Sequence, residues 1–220
     1  MFMTAVVAVL TAYIFGSINF AVIFTKVFTH TDVRDYGSGN AGTTNVMRVG
    51  GMAPGILTFV CDALKGFVAC AVGQWLFSYI FEQTGDIWAL PIYGAYICGL
   101  ACMIGHIFPV FFGFKGGKGV ATSVGIFAVC CPIAIILGLT VFAVVLLISR
   151  IVSLSSLVAT VVVVVLSIVF KSEEYGASWL PQALLAIIMG AIVFIKHSEN
   201  IKRLIAGKEK KISVRSRKNG

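Results

Sequence analysis

Residues 120–149 read VATSVGIFAVCCPIAIILGLTVFAVVLLIS, an apolar run with no charged side chain, interrupted near its middle by Cys131-Pro132. Proline lacks an N–H and its ring clashes with the preceding turn, so a helix breaks or bends there. The run is therefore either one long helix that crosses a bilayer once or a hairpin of two short helices. The choice decides which side the C-terminal third of the chain faces.

The rest of the sequence supplies the frame. Further apolar segments run approximately over 3–28, 53–81, 88–112, 152–170 and 179–196. The chain is 59% hydrophobic and 12% charged, with mean hydropathy +0.99. A soluble domain carries about twice that charged fraction. A crossing helix needs about 20 apolar residues, and these segments reach or approach that length. None alternates at period two over the length of a barrel strand, so all are helical candidates. The first, AVVAVLTAYIFGSINFAVIFT, has no basic n-region and no clear cleavage site, which predicts a retained span and not a signal peptide.

Charge settles the hairpin question. Basic residues mark the cytoplasmic side of a membrane protein. With the N-terminus outside and residues 120–149 folded as a hairpin, Lys26, Arg34, Arg48, Lys115, Lys118 and Arg150 all face the cytoplasm. So does the tail with Lys196, Lys202, Arg203, Lys208, Lys210, Lys211, Arg215, Arg217 and Lys218. The outside keeps Glu82, Asp86, Glu173 and Glu174, with Lys171 the one base. A single crossing would instead put Arg150 and the tail opposite Arg34 and Arg48. The expectation is an all-α, polytopic membrane helical bundle of about seven transmembrane helices, N-terminus outside and C-terminus cytoplasmic. The pair around 120–131 and 133–149 is short, each half about 20–25 Å against a core of about 30 Å.

The chain reads as one domain over 1–220, with no internal repeat and a basic cytoplasmic tail from about 202. The tail KEKKISVRSRKNG reads as solvated and attracted to anionic lipid. The net charge of +8 fits topology and lipid attraction rather than nucleic-acid binding. All six cysteines, Cys61, Cys70, Cys98, Cys102, Cys130 and Cys131, fall in apolar segments without metal-ligand spacing. They read as buried thiols, with neither a disulfide framework nor a metal site.

Every glycine- or hydroxyl-rich stretch falls on the cytoplasmic side in this arrangement. The first is GSGNAGTTN, residues 37–45, with Arg48 following. Gly37, Gly39 and Gly42 make a G-x-G-x-x-G, but that fingerprint needs a preceding strand and a βαβ unit, and helices flank it here. Successive glycines also let backbone N–H groups converge on an anion. Ser38, Asn40, Thr43, Thr44 and Asn45 would add neutral donors, and Arg48 a planar fork suited to phosphate. The alternative is a flexible turn packed against headgroups.

The second stretch is FKGGKGVATS. It fails as a nucleotide P-loop because no Ser or Thr follows Lys118. Gly116, Gly117 and Gly119 around Lys118, just before an apolar helix, suit an anion at a helix N-terminus. In SRIVSLSS, Ser149, Ser153, Ser155 and Ser156 surround Arg150 at a helix start. One serine is enough for a cap, and no activating base lies within the motif, so they read as hydrogen-bond donors. His197, Asn200 and Arg203 share a face if the last helix continues into the tail. His106 is either a general base or structural. Asp62 and Lys65, inside the second span, either pair with each other or serve function.

Together, GSGNAGTTNVMRVGG, GHIFPVFFGFKGGKGVATS, SRIVSLSS and HSENIKRLIAGKE resemble the bacterial acyl-phosphate:glycerol-3-phosphate acyltransferases, with GSINFAVI and CDALKG matching as well. The resemblance covers nearly the whole chain. It departs from the family at Asn19, where proline is usual, and at SLSS, where SLGS-like variants are common. It implies a multi-pass enzyme of the bacterial inner (plasma) membrane with its site facing the cytoplasm. It implies transfer of a fatty acyl group from acyl phosphate to the sn-1 hydroxyl of glycerol 3-phosphate, giving lysophosphatidic acid and phosphate, the first acylation of phospholipid synthesis. No cofactor, metal or acyl-CoA is expected. The partners are the two substrates and membrane lipid, with no nucleic acid.

On that reading Lys118, Ser156, His197 and Asn200 are the catalytic candidates. Gly37, Ser38, Gly39, Asn40, Gly42, Thr43, Asn45, Arg48, Gly116, Gly117, Gly119, Ser153, Ser155 and Arg203 bind substrate or phosphate. His197, His106 or a phosphate oxygen takes the proton. An acyl phosphate already carries a good leaving group, so direct transfer without an acyl-enzyme is expected. The competing class is a transporter of an organic phosphate. Its site would lie near the midplane between paired repeats, and no repeat shows here.

Overall fold

The computed structural model describes residues 2–170 and 179–212. Lys171, Glu173 and Glu174, counted above for the outer side, and Arg215, Arg217 and Lys218 of the tail lie outside them. The described residues form α1 (Phe2–Gly16), α2 (Phe20–Thr29), α3 (Thr43–Gly50), α4 (Met52–Thr84), α5 (Pro91–Ile107), α6 (Val120–Cys130), α7 (Pro132–Ser149), α8 (Val152–Val169), α9 (Trp179–Lys196) and α10 (Ser198–Ile205). No strand occurs among them. Six segments are long and apolar enough to cross a membrane, and α6 is a shorter apolar helix. This is the expected all-α membrane bundle.

The break at Pro132 is present. Helix α6 ends at Cys130, Cys131 leaves helical geometry at φ −157° and ψ 76°, and Pro132 opens α7 at its first position. Proline suits that position because its missing N–H would have no intrahelical partner. The chain does turn back. Lys118, just before α6, bonds Asn200, and Ser153, just after α7, bonds Glu209, which Asn200 also bonds. Both ends of the α6–α7 pair therefore meet at one place. The halves are unequal, however. At 1.5 Å per residue α6 is about 16 Å long and α7 about 27 Å. Helix α6 lies against the middle of α4, where Gly66 meets the Thr122 carbonyl and Gly125 meets the Ala63 carbonyl. Small residues let backbones approach this closely, as in other membrane helix pairs.

Three expectations of continuity are corrected. The first apolar segment is not one helix. It breaks at Ser17–Asn19, where the Asn19 side chain caps α2 by accepting from Val22 N at 3.2 Å. The glycine stretch is not all loop, because Thr43 starts α3. The tail is not simply solvated. After α10 it turns at Gly207, φ +66°, and crosses the α7–α8 turn, where Ile212 N donates to Arg150 O at 2.8 Å.

Helix α5 is the most enclosed span and packs on α1, α4, α6 and α9. The outward faces stay apolar, with Trp75, Leu147 and Ile148 largely exposed, as a surface facing hydrocarbon requires. All six cysteines are free thiols, five of them buried.

Candidate active site

The turn-rich approach to α3 is built around Asn45, which is 2% exposed. Its Nδ2 donates to Val33 O and Tyr36 O, both at 2.9 Å, and its Oδ1 accepts from Ser38 N at 2.9 Å. Gly37 and Gly39 take the left-handed conformation at φ +67° and +70°. A side chain at Gly37 would strike Asn45. The loop is therefore fixed from within, and Asn45 has no donor left for a substrate. Arg34 is also committed, to both oxygens of Asp32 and to Phe112 O. Arg48, in contrast, is exposed and lines an open groove with Thr29, Thr31, Tyr36 and Gly37. Ser38, next to Gly37 in the chain, is exposed, and Asn40 and Thr44 are partly so. The amides of Thr43 and Thr44 open α3, and helix geometry gives them no intrahelical acceptor.

The second glycine stretch differs from its expected use. Gly116 N donates to Ile107 O and Gly117 N to His106 O, each at 3.2 Å. These amides satisfy the last carbonyls of α5 and do not form an anion cradle. Gly117 is required because any side chain there would meet His106 Nε2. Gly119, at φ +85°, turns the chain into α6. Their joint result is to deliver Lys118 to the cluster.

That cluster joins α6, α8, α10 and the strap after α10. Lys118 Nζ donates to Asn200 Oδ1. Asn200 Nδ2 donates to Glu209 Oε1 at 2.6 Å, Ser153 Oγ to the same oxygen at 2.8 Å, and Arg203 Nε to Glu209 Oε2 at 2.6 Å. Asn200 and Arg203 share a face of α10, as their spacing implied, although the helix axis breaks at His197. Ser155 Oγ returns to Ile151 O at 2.9 Å within its own helix, so its hydroxyl proton is not directed into the cluster. Ser156 is 5% exposed and borders an apolar cleft with Ser123, Val124, Phe142, Thr160 and Gly190.

Electrostatics follow from enclosure. Burial pushes the Lys118 ammonium down to about 8; Glu209 opposes that, while Arg203, Arg48 and Lys196 reinforce it. Burial, then the Lys118 charge, pushes His197 down to about 4, so the ring is neutral near pH 7. His197 Nδ1 lies 2.8 Å from Val193 O and must carry the proton, which leaves Nε2 as an acceptor. Burial raises the Glu209 carboxyl, but hydrogen bonds from Arg203, Asn200 and Ser153 hold it below its ordinary value.

The model of a family described as glycerol-3-phosphate acyltransferase matches residues 6–207. The chain belongs to this family. It is 39% identical over 207 residues to glycerol-3-phosphate acyltransferase 2 of Bacillus anthracis, covering 94% of this chain and 98% of the relative. It is 37% identical to a Thermoanaerobacter glycerol-3-phosphate acyltransferase, over 97% of this chain and 98% of that one. Among solved structures it is similar to PlsY, an integral membrane glycerol 3-phosphate acyltransferase, in its glycerol 3-phosphate form. The TM-score is 0.80, with 36% identity and 96% of each chain covered. The lysophosphatidic acid form of that protein matches at TM-score 0.77, with the same identity and coverage.

Within this membrane acyltransferase family, the matched range includes every site residue expected from sequence and ends before Glu209. Sequence reading missed Glu209 as a site residue, and the signal was its place as the lone carboxylate among the lysines of KEKK. His106 is not in the cluster. It lies behind the glycine loop, with Nδ1 3.5 Å from Asp62 Oδ1.

Proposed function

We propose that this acyltransferase moves a fatty acyl group from acyl phosphate to the sn-1 hydroxyl of glycerol 3-phosphate. The observation that carries the reading is the junction at the start of α6. Lys118 stands in a cationic, hydrogen-bonding cluster, and Val120 and Ser123, two and five residues further on, already line an apolar cleft between α6, α7, α8 and α9. An amphipathic donor with a phosphate head and an alkyl tail fits such a junction. The protein PlsY, similar over nearly its whole length, has glycerol 3-phosphate and lysophosphatidic acid forms.

The geometry supports one set of roles. Arg48, Ser38 and the opening amides of α3 hold one phosphate, and Lys118 with Ser156 holds the other at the mouth of the cleft. His197 Nε2 accepts a hydrogen bond from the attacking hydroxyl. The hydroxyl oxygen bonds to the acyl carbon, the C–O bond to phosphate breaks, and phosphate leaves with that electron pair. With His197 held near 4, the proton passes to a phosphate oxygen. Fixed cations stabilise the charge that develops on the leaving group. No acyl-enzyme forms, and neither a metal nor acyl-CoA is used. The site faces the cytoplasm, the N-terminus lies outside, and the enzyme resides in the bacterial plasma membrane.

The test is purified enzyme with acyl phosphate and glycerol 3-phosphate, in chelator and without acyl-CoA, reading lysophosphatidic acid and phosphate in equal amounts. Turnover with acyl-CoA alone, or a covalent acyl-protein trapped from labelled donor, would contradict the reading. For sidedness, Lys202→Cys, whose native side chain is 74% exposed, should react with an impermeant thiol reagent only after cells are permeabilised.

A further inference from the structure

We infer that Lys196, the last residue of α9, is a third phosphate-binding cation of the active site, held in place by the ring of Phe108. This rests on the function proposed above and deepens it, adding a charge to those of Arg48 and Lys118.

Three features set Lys196 apart. Its Nζ stands 4.8 Å from the centroid of the Phe108 ring. Its side chain is partly buried. Among the described residues no carboxylate pairs with it. A lysine that only marks the end of a span extends its ammonium toward headgroups and water. Lys196 lies instead over a ring on the connection that carries Lys118.

That ring is well anchored. Phe108 N donates to Ile104 O at 2.8 Å, and Phe108 O accepts from the Tyr13 hydroxyl at 2.9 Å. The connection then folds back, with Gly116 N donating to Ile107 O at 3.2 Å, so Phe108 lies beside the second glycine loop. The first glycine loop reaches the same place, because a Cβ at Gly117 would come within 2.8 Å of Ala41 O. The end of α9 therefore meets the bundle where the two site loops touch. The Lys196 charge, like that of Arg48, acts on Lys118.

Charge balance gives the third cation its use. A phosphate monoester carries about −1.5 to −2 near neutral pH, so two heads bring about −3 to −4. Arg48 and Lys118 supply two positive charges. Arg203 is offset by Glu209 at 2.6 Å. Lys196 supplies a further one, and its holder suits the task. A carboxylate would cancel the charge and compete with phosphate. An aromatic face attracts the ammonium without cancelling it and leaves the N–H groups on the far side for an anion.

The experiment compares wild-type enzyme, Lys196→Met, Lys196→Arg and Phe108→Leu in detergent, with gel filtration to check folding. Calorimetry without donor gives the affinity for inorganic phosphate and for glycerol 3-phosphate, and kinetics give KM and kcat for both substrates. Lys196→Met keeps the stem and removes the charge. It should weaken phosphate binding and raise the KM of at least one substrate about 10- to 100-fold, with a smaller change in kcat. A rise confined to glycerol 3-phosphate puts Lys196 on the phosphate held by Arg48, and one confined to acyl phosphate puts it on that held by Lys118. Either supports the assignment. Lys196→Arg should stay close to wild type, and Phe108→Leu should repeat the pattern at about 2- to 5-fold. A folded Lys196→Met with unchanged KM for both substrates overturns the proposal, whether or not kcat falls, and leaves Lys196 an interfacial anchor. If Lys196→Met does not fold, Phe108→Leu decides, and unchanged phosphate affinity there is fatal. If the wild-type enzyme does not use acyl phosphate, the donor reading falls, while binding of inorganic phosphate and glycerol 3-phosphate still tests Lys196 by itself.

Discussion

The ammonium of Lys65, in the body of α4, donates to the carbonyl of Ile18 at 2.8 Å, at the break between α1 and α2. The same ammonium pairs with Asp62 Oδ1 at 2.7 Å, and both side chains are at most 2% exposed. A helix that stops inside hydrocarbon leaves carbonyls that water cannot reach. Lys65 serves one of them, and Asp62 balances its charge. The pair thus holds the broken first span against α4 and α5, behind the glycine loop that delivers Lys118.

Removing one partner should therefore cost far more than removing both. Lys65→Met leaves Asp62 buried without a counter-charge, and a loss of about 3–5 kcal/mol is expected. The double variant Lys65→Met with Asp62→Asn should recover much of that loss. Unfolding in a fixed detergent micelle measures it, and equal losses in the single and double variants would refute the pairing role.

Asn45 gives a second prediction. Its side chain closes three hydrogen bonds inside the loop that presents Ser38 and Arg48. Asn45→Ala should destabilise by about 1–3 kcal/mol. The KM for glycerol 3-phosphate should rise more than kcat falls, because the loop binds rather than reacts. A fall in kcat alone, with KM unchanged, would show that Asn45 touches the reacting atoms.

His197 predicts a pH dependence of stability. Its folded value near 4 lies below the ordinary histidine value near 6.5. Between these values the unfolded chain binds the proton and the folded chain does not, so stability falls as pH drops from about 6.5 to about 4. Above that window this residue adds no slope. Subtracting the melting-temperature profile of His197→Asn from that of wild type isolates the effect. A flat difference across pH 4–6.5 would contradict it.

Some of this structure could be read in the sequence and some could not, for definable reasons. Pro132 and the segregation of bases gave the reversal between α6 and α7, because both are local or summed properties. The break at Ser17–Asn19 was hidden, since its stabilising partner, Lys65, lies 47 residues away and the run itself reads as continuous. Glycine patterns pointed to the two site loops but not to where their amides go. Gly116 donates its amide to the Ile107 carbonyl and Gly117 to that of His106. The likeness of HSENIKRLIAGKE to its family pointed to Asn200, which bonds Lys118, and to His197, on which the Lys118 charge acts. Glu209 escaped because charge runs are read by composition, whereas its role depends on a chain reversal at Gly207.

The apolar cleft supplies the last prediction. It runs from Ser123 and Ser156, beside the cationic cluster, between helices to Phe127 and Ile135 near the α6–α7 reversal. If the donor's alkyl chain lies there, its far methylenes pass Gly190, where even a Cβ would come within 2.7 Å of a Val164 methyl group. Gly190→Leu pushes Val164 aside and narrows the cleft at that level, away from Lys118 and Asn200. Each methylene excluded from an apolar site costs about 0.8 kcal/mol, so two displaced methylenes give roughly a tenfold loss. The kcat/KM for hexadecanoyl phosphate should fall about tenfold or more, and that for octanoyl phosphate should change far less. Parallel losses for both donors would place the alkyl chain elsewhere, along the outer face of the bundle in direct contact with lipid.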